Sequence, residues 1–181
     1  MIFHPTDVAE VWVVEPERHE DGRGFFARTW DSETFAERGL RDVVVQASIS
    51  FNRRRGTLRG MHYQAAPHEE AKLVRCTAGR IFDVAVDLRP TSATFRRWVG
   101  VELSAESRKA LYVPEGCAHG FLTLEDDCEI AYQMSSPYVP DDARGVRFDD
   151  PAFAIVWPGE ITVINERDRS YPDFAMTGLS S

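Results

Sequence analysis

Residues 56–64 read GTLRGMHYQ, and a second histidine, His119, lies in the stretch PEGCAHGF. An imidazole near neutral pH can take a proton, give one, or ligate a metal ion. His62 and His119 could supply two imidazole ligands to a divalent ion. Proton transfer instead requires a carboxylate to orient the base, an acid to return the proton, and a cation to steady the charge between the two steps. Aspartates, tyrosines and lysines of the right types occur at several places along the chain. Each also has an ordinary structural use: an aspartate caps a loop, a tyrosine fills a core, a lysine stands in water.

Short strands must bring these groups together. VVVQASIS alternates Val43, Val45, Ala47 and Ile49 against Val44, Gln46, Ser48 and Ser50, and RIFDVAVDLR alternates Phe82, Val84, Val86 and Leu88 against Ile81, Asp83, Ala85 and Asp87. CEIAYQM puts Tyr132 on an apolar face with Cys128, Ile130 and Met134, and RRWVGVELS and KALYVPEG read as further strands. Glycine and proline punctuate at short intervals, which predicts an all-β antiparallel sandwich or barrel. In a small barrel, alternate residues of separate strands face one interior, so two distant histidines can meet there. Helices are few: DSETFAERG is the best candidate, with Asp31 or Ser32 as N-cap and Gly39 as its stop, and DDPAFAIVWP suits a short turn. Strict alternation would put Arg59 on the face opposite His62, so both can serve one cavity only if Gly60 permits a bulge or the arginine curls over the barrel mouth.

Composition narrows the chemistry. A chain of 181 residues with 43% hydrophobic residues, 11 Phe and 4 Trp can bury one substantial core and is read as one domain over 1–181. A net charge of −8 argues against a nucleic-acid polymer as partner, although a small anion could bind locally. The N-terminal stretch is not read as a secretory signal, and no apolar run approaches a membrane span. Three cysteines, Cys76, Cys117 and Cys128, are odd in number and set in apolar segments, which suits free thiols in a reducing cytoplasm. Only Cys117 lies near candidate chemistry, and packing is its expected role. Neither a strand-to-helix G-x-G-x-x-G nor a P-loop occurs.

Gly56, His62, Gln64 and Glu69, followed by Pro114, Gly116 and His119, resemble the two signature motifs of the cupin β-barrels, with Gln64 where a metal-binding cupin has its second histidine. A narrower likeness runs through DGRGFFARTW, GTLRGMHYQ, AKLVRCTAGRIFDVAVDLRPTSATF, YVPEGCAHGFLTL, IAYQMSSPYVPDDARG and DDPAFAIVWP, in that order. In these the chain resembles the dTDP-4-dehydrorhamnose 3,5-epimerase family of cupins. The resemblance implies a cupin-type jelly roll without metal or other cofactor, a homodimer with exchanged N-terminal strands, and a cavity for a nucleotide-linked 4-keto-6-deoxy sugar. It implies His62 as the base, Asp168 as its carboxylate, Tyr132 as the proton donor with Tyr138 as a competing phenol, and Lys72 as the stabiliser of an enolate. Arg23, Gln46, Ser48, Arg59, Lys72, His119, Tyr138 and Arg167 match substrate-contacting positions.

Some positions depart from the family's pattern: Arg28 stands for Glu, Ser48 for Asn, Ala143 for Glu, Asn165 for Ser and Arg167 for Lys. They fall in segments that hold the nucleotide in the family, so altered carrier recognition is expected while proton transfer survives. Two other readings remain at this level: a metal-dependent isomerase or dioxygenase on His62, Glu69 and His119, and a noncatalytic sugar-nucleotide-binding cupin.

Overall fold

The period-two segments become two facing sheets. The computed structural model describes residues 1–174. β1 (Ile2–Pro5), β2 (Trp12–Glu15), β10 (Ala110–Val113), β7 (Lys72–Ala78), β12 (Cys128–Met134) and β5 (Gln46–Asn52) form a six-stranded sheet in that order. β13 (Ala143–Gly145), β6 (Leu58–Gln64), β11 (Cys117–Thr123), β8 (Arg80–Asp87) and β9 (Trp98–Ser104) form a five-stranded one. All ladders in both sheets are antiparallel, and the two sheets close on each other as the expected cupin-type jelly roll. β3 (His19–Asp21) and β4 (Gly24–Phe26) pair only with each other, as a separate hairpin.

The space between the sheets is divided along its length. Val74, Cys76, Ile81, Ala85, Leu103, Leu111, Phe121 and Ile130 pack one end as a dry core. Register carries the same faces on to polar residues: Gln46, Ser48 and Lys72 share the inward face of Tyr132 and Met134, while His62 stands opposite His119 on the other wall. Both faces of β8 are buried, because Val84, Val86 and Leu88 on its outer side are covered by Phe153 and Trp157.

Two local expectations change. The strand read from Val43 begins only at Gln46, and its apolar face points outward: Ile49 is 69% exposed and Phe51 51%. It is the polar face of β5 that turns inward. The segment NERDRS, read as loop, is a short helix, α2 (Glu166–Arg169), whose N-cap Asn165 accepts from the Asp168 amide at 2.6 Å.

The first helix forms as expected. In α1 (Ser32–Ala36), Asp31 is the N-cap and accepts from the amide and hydroxyl of Thr34, and Arg28 also pairs with it. Those contacts, led by the Thr34 amide, bring the Asp31 carboxyl down to about 2. A depressed carboxylate stabilises the fold above its unfolded pKa and loses that contribution as pH falls through its folded value. Asp31→Asn keeps a good cap but cannot titrate. The stability difference between wild type and Asp31→Asn, read from melts at successive pH values, is therefore expected to shrink as pH falls from about 4 toward 2.

Candidate active site

His62 enters the cavity because β6 is irregular. Opposite β11 the register runs His119↔His62 and then Phe121↔Arg59, so one extra residue is accommodated on β6. Gly60 adopts φ +129°, and a Cβ there would lie 2.5 Å from the Gly120 Cα and 2.9 Å from the His119 carbonyl oxygen. The expected bulge is present, and Arg59 and His62 both face inward. Arg59 donates through Nε to the Asn52 side chain at 2.7 Å and acts on Tyr132 across the cavity.

The bulge also recruits the carboxylate. The Gly60 amide donates to Asp168 Oδ2 at 3.0 Å, and His62 Nε2 lies 2.7 Å from Asp168 Oδ1. Asp168 is 1% exposed. Burial pushes its carboxyl up, but the hydrogen bond and charge of His62, the Gly60 amide and the Arg167 charge together bring it below the ordinary value. A charged, immobile carboxylate thus holds one nitrogen of His62 and leaves Nδ1 to exchange protons.

A second pair, unforeseen from sequence, stands beside the first. His119 Nε2 lies 2.7 Å from Asp83 Oδ1, and both residues are buried. Burial raises the Asp83 carboxyl, with the charge and hydrogen bond of His119 opposing, and Asp83 Oδ2 has no partner among the described residues. The His119 ring meets Tyr132 edge-on at 6.1 Å. Tyr132 is held in its neutral form: burial and the nearby Asp83 raise its pKa, and Arg59 opposes them only in part.

On the facing wall a cleft of about 540 Å³ is lined by Gln46, Ser48, Glu70, Lys72, Tyr132, Met134 and Tyr138. Gln46 Oε1 accepts from the Tyr138 amide at 2.8 Å, and Tyr138 itself is 56% exposed. Arg167 reaches toward Tyr138 and Tyr171, which raise its pKa, and its Nη2 lies 3.5 Å from the Ala143 carbonyl oxygen. Tyr171 was missed from sequence. Its ring stands 6.3 Å from that of His62, over Gly145, where a Cβ would meet it at 2.2 Å.

Other residues are not brought together. Arg23 sits at the tip of the β3–β4 hairpin with its side chain 91% exposed, paired to Asp21 rather than facing this cavity. Arg28 is engaged by Asp31 at the start of α1, and Asn165 caps α2, so both departures from the family pattern have structural partners. Glu69 is exposed and lines a separate groove with Arg41 and Glu115, away from both histidines. Gln64 is occupied by the His68 and Pro137 carbonyls and the Val139 amide. The alternative ligand set of His62, Glu69 and His119 is therefore not assembled, and no cluster of three His, Cys, Asp or Glu suited to a metal occurs among the described residues. Burial pushes the Cys117 thiol up to about 12, which fits packing rather than a nucleophile.

A jelly-roll barrel with an imidazole–carboxylate pair on one wall and a neutral phenol and an ammonium on the other is a cupin isomerase, built to move protons on and off carbon. The family model described as dTDP-4-dehydrorhamnose 3,5-epimerase matches residues 5–176. The chain belongs to the dTDP-4-dehydrorhamnose 3,5-epimerase family. It is 43% identical over 182 aligned residues to the dTDP-4-dehydrorhamnose 3,5-epimerase of Sinorhizobium fredii, covering 99% of this chain and 93% of that one. The crystal structure of the Elizabethkingia anophelis dTDP-4-dehydrorhamnose 3,5-epimerase superposes with a TM-score of 0.93 at 39% identity, covering 96% of each chain. That of the Legionella pneumophila dTDP-6-deoxy-D-glucose-3,5-epimerase in complex with dTDP-4-keto-L-rhamnose gives 0.85 at 38%, over 92% of this chain and 89% of that one.

Proposed function

We propose that this protein, as one cupin domain, inverts C3 and C5 of a dTDP-linked 4-keto-6-deoxyhexose. The observation that carries the reading is the position of His62 and Tyr132 on opposite walls of one barrel. The C4 ketone acidifies the hydrogens on C3 and C5. His62 takes one of them, the C–H electron pair moves into the enolate, and Lys72 and His119 steady the oxygen anion. Tyr132 then gives its hydroxyl proton to the opposite face of the carbon, and solvent restores both groups. Tyr132 is favoured over Tyr138 as donor because it lies between the sheets, whereas Tyr138 stands at the exposed mouth. Tyr138 and Arg167 are suited to the nucleotide and its phosphates, with Gln46, Ser48 and Arg59 completing the contacts.

Tyr132→Phe removes the donor and leaves the base. Inversion at a centre that depends on this phenol is expected to fall by about 10²-fold, while His62-dependent exchange of substrate hydrogen for solvent deuterium persists. NMR of the sugar in D2O follows both. Wild-type protein with no exchange at C3 or C5 on dTDP-, UDP-, GDP- or CDP-linked 4-keto sugars would end the epimerase reading.

The reading includes a homodimer. Phe25 and Phe26 on the hairpin and Ile49 and Phe51 on the outer face of β5 are exposed apolar residues that a second copy would cover. The Arg23 hairpin would then serve a neighbour's cavity, and sedimentation equilibrium tests the assembly. Three buried, unpaired thiols suit a cytoplasmic location, and no helix among the described residues is long and apolar enough to cross a membrane.

A further inference from the structure

Lys72 does not face the cleft alone. Its Nζ lies 2.7 Å from Oε1 of Glu70, and each side chain is only 10% exposed. Residues two apart in extended chain share a face, and Glu70 and Lys72 both line the cleft that holds Gln46, Ser48, Tyr132 and Tyr138. Glu70 forms no other ion pair or side-chain hydrogen bond among the described residues.

A carboxylate here works against the expected ligand, since it repels both a diphosphate and a developing enolate. Its use must therefore lie with the lysine. A lysine stem with four rotatable bonds does not aim itself. Glu70 supplies a negative charge 2.7 Å from Nζ, and an ammonium with three donors can meet it and still face the cavity. Tyr132 from β12, Tyr138 from the loop beyond it, and the neutral Gln46 and Ser48 from β5 are the other groups lining this cleft with Lys72.

We propose that Glu70 is a positioning residue for the epimerisation, holding the Lys72 ammonium directed at the ketone oxygen of the sugar. The proposal rests on the epimerase reading. It is tested with the full chain and a dTDP-4-keto-6-deoxyhexose, comparing wild type, Glu70→Gln, Glu70→Ala, Lys72→Ala and the Glu70→Ala/Lys72→Ala double variant. Glu70→Ala is expected to lower kcat by about tenfold or more with KM changed less than about threefold. Glu70→Gln, whose amide oxygen can still face Nζ, should recover most of kcat. In the double variant the loss of Glu70 should add nothing to the loss of Lys72, because the carboxylate acts only through the lysine.

Additive losses in the double variant, or tighter dTDP binding with unchanged kcat in Glu70→Ala, would overturn the proposal, since Glu70 would then act on the ligand directly. Should Glu70→Ala fail to fold, a Glu70→Leu variant that folds and keeps wild-type kcat overturns it equally. Failure of the epimerase reading is separate and shows first, as wild-type protein without turnover.

Discussion

Replacing His62 by alanine is expected to lower kcat by about 10³-fold, with KM for the sugar nucleotide changed far less. The imidazole is the proposed base on its wall of the cavity, and its Nε2 is committed to Asp168 at 2.7 Å. The proton from carbon therefore goes to Nδ1, and the resulting imidazolium is stabilised by a carboxylate that is 1% exposed and already held below its ordinary pKa. Asp168→Asn should come close to the same loss for a different reason. An asparagine can present its NH2 to the ring and reverse which nitrogen carries the hydrogen, leaving the wrong one toward the substrate. Deuterium exchange at C3 and C5, measured by NMR, checks both variants. Loss of exchange identifies a failed proton abstraction, whereas exchange at the wild-type rate in His62→Ala would remove His62 from the mechanism. Stability gives a second readout. With His62 gone, Asp168 keeps only the Gly60 amide, the Asn165 cap of its helix and the Arg167 charge, so a loss of about 1–3 kcal/mol is expected at neutral pH. Because the carboxyl is depressed in the folded state, that difference is present above its unfolded pKa and vanishes as pH falls through the folded value.

Gly60→Ala is expected to destabilise the fold by about 3 kcal/mol or more, or about 6–12 °C in Tm, and to abolish activity in the molecules that still fold. The φ of +129° lies where a β-carbon is strained, and the added atom would sit 2.5 Å from the Gly120 Cα and 2.9 Å from the His119 oxygen. Those are backbone atoms of the adjacent strand, paired on its other side to β8, so they have nowhere to retreat. Any relief must come from undoing the bulge. That would turn Arg59 or His62 out of the cavity and move the Gly60 amide away from Asp168. Gly22→Ala provides the control: a Cβ at Gly22 meets nothing within 4 Å, and its melt should match wild type to within about 0.5 kcal/mol. Thermal unfolding and kcat on the same preparations decide the matter. A Gly60→Ala protein with wild-type Tm and turnover would show that the bulge does not depend on glycine.

Much of this was legible in one dimension. The apolar pattern identified β8, β9, β10 and β12, Asp31 or Ser32 was expected as a helix cap, and the conflict between Arg59 and His62 called for a bulge at Gly60 or an arginine curled over the barrel mouth. These are local properties, fixed by how successive side chains of an extended or helical backbone point. The order of motifs, compared with a known family, supplied the identity of the four groups proposed for chemistry.

The partners were another matter. Asp83 looked like one member of an alternating strand face, and nothing in the pattern singled out Glu70. Tyr171 was hidden behind a helix that sequence read as loop. Arg23 was assigned to the site by resemblance, yet its hairpin stands apart from this chain's own cavity. Alternation tells which side of a strand a residue takes. It does not tell which sheet closes over that side, or which residue tens of positions away stands opposite. The amino-acid sequence by itself determined most of the strands, the start of the first helix, a bulge as one way to bring Arg59 and His62 to one cavity, and the chemical types available for proton transfer. Only the tertiary structure decided that His119 meets Asp83, that Glu70 holds Lys72, and that the polar face of β5 turns inward, because each depends on strand register and sheet closure between segments distant in sequence.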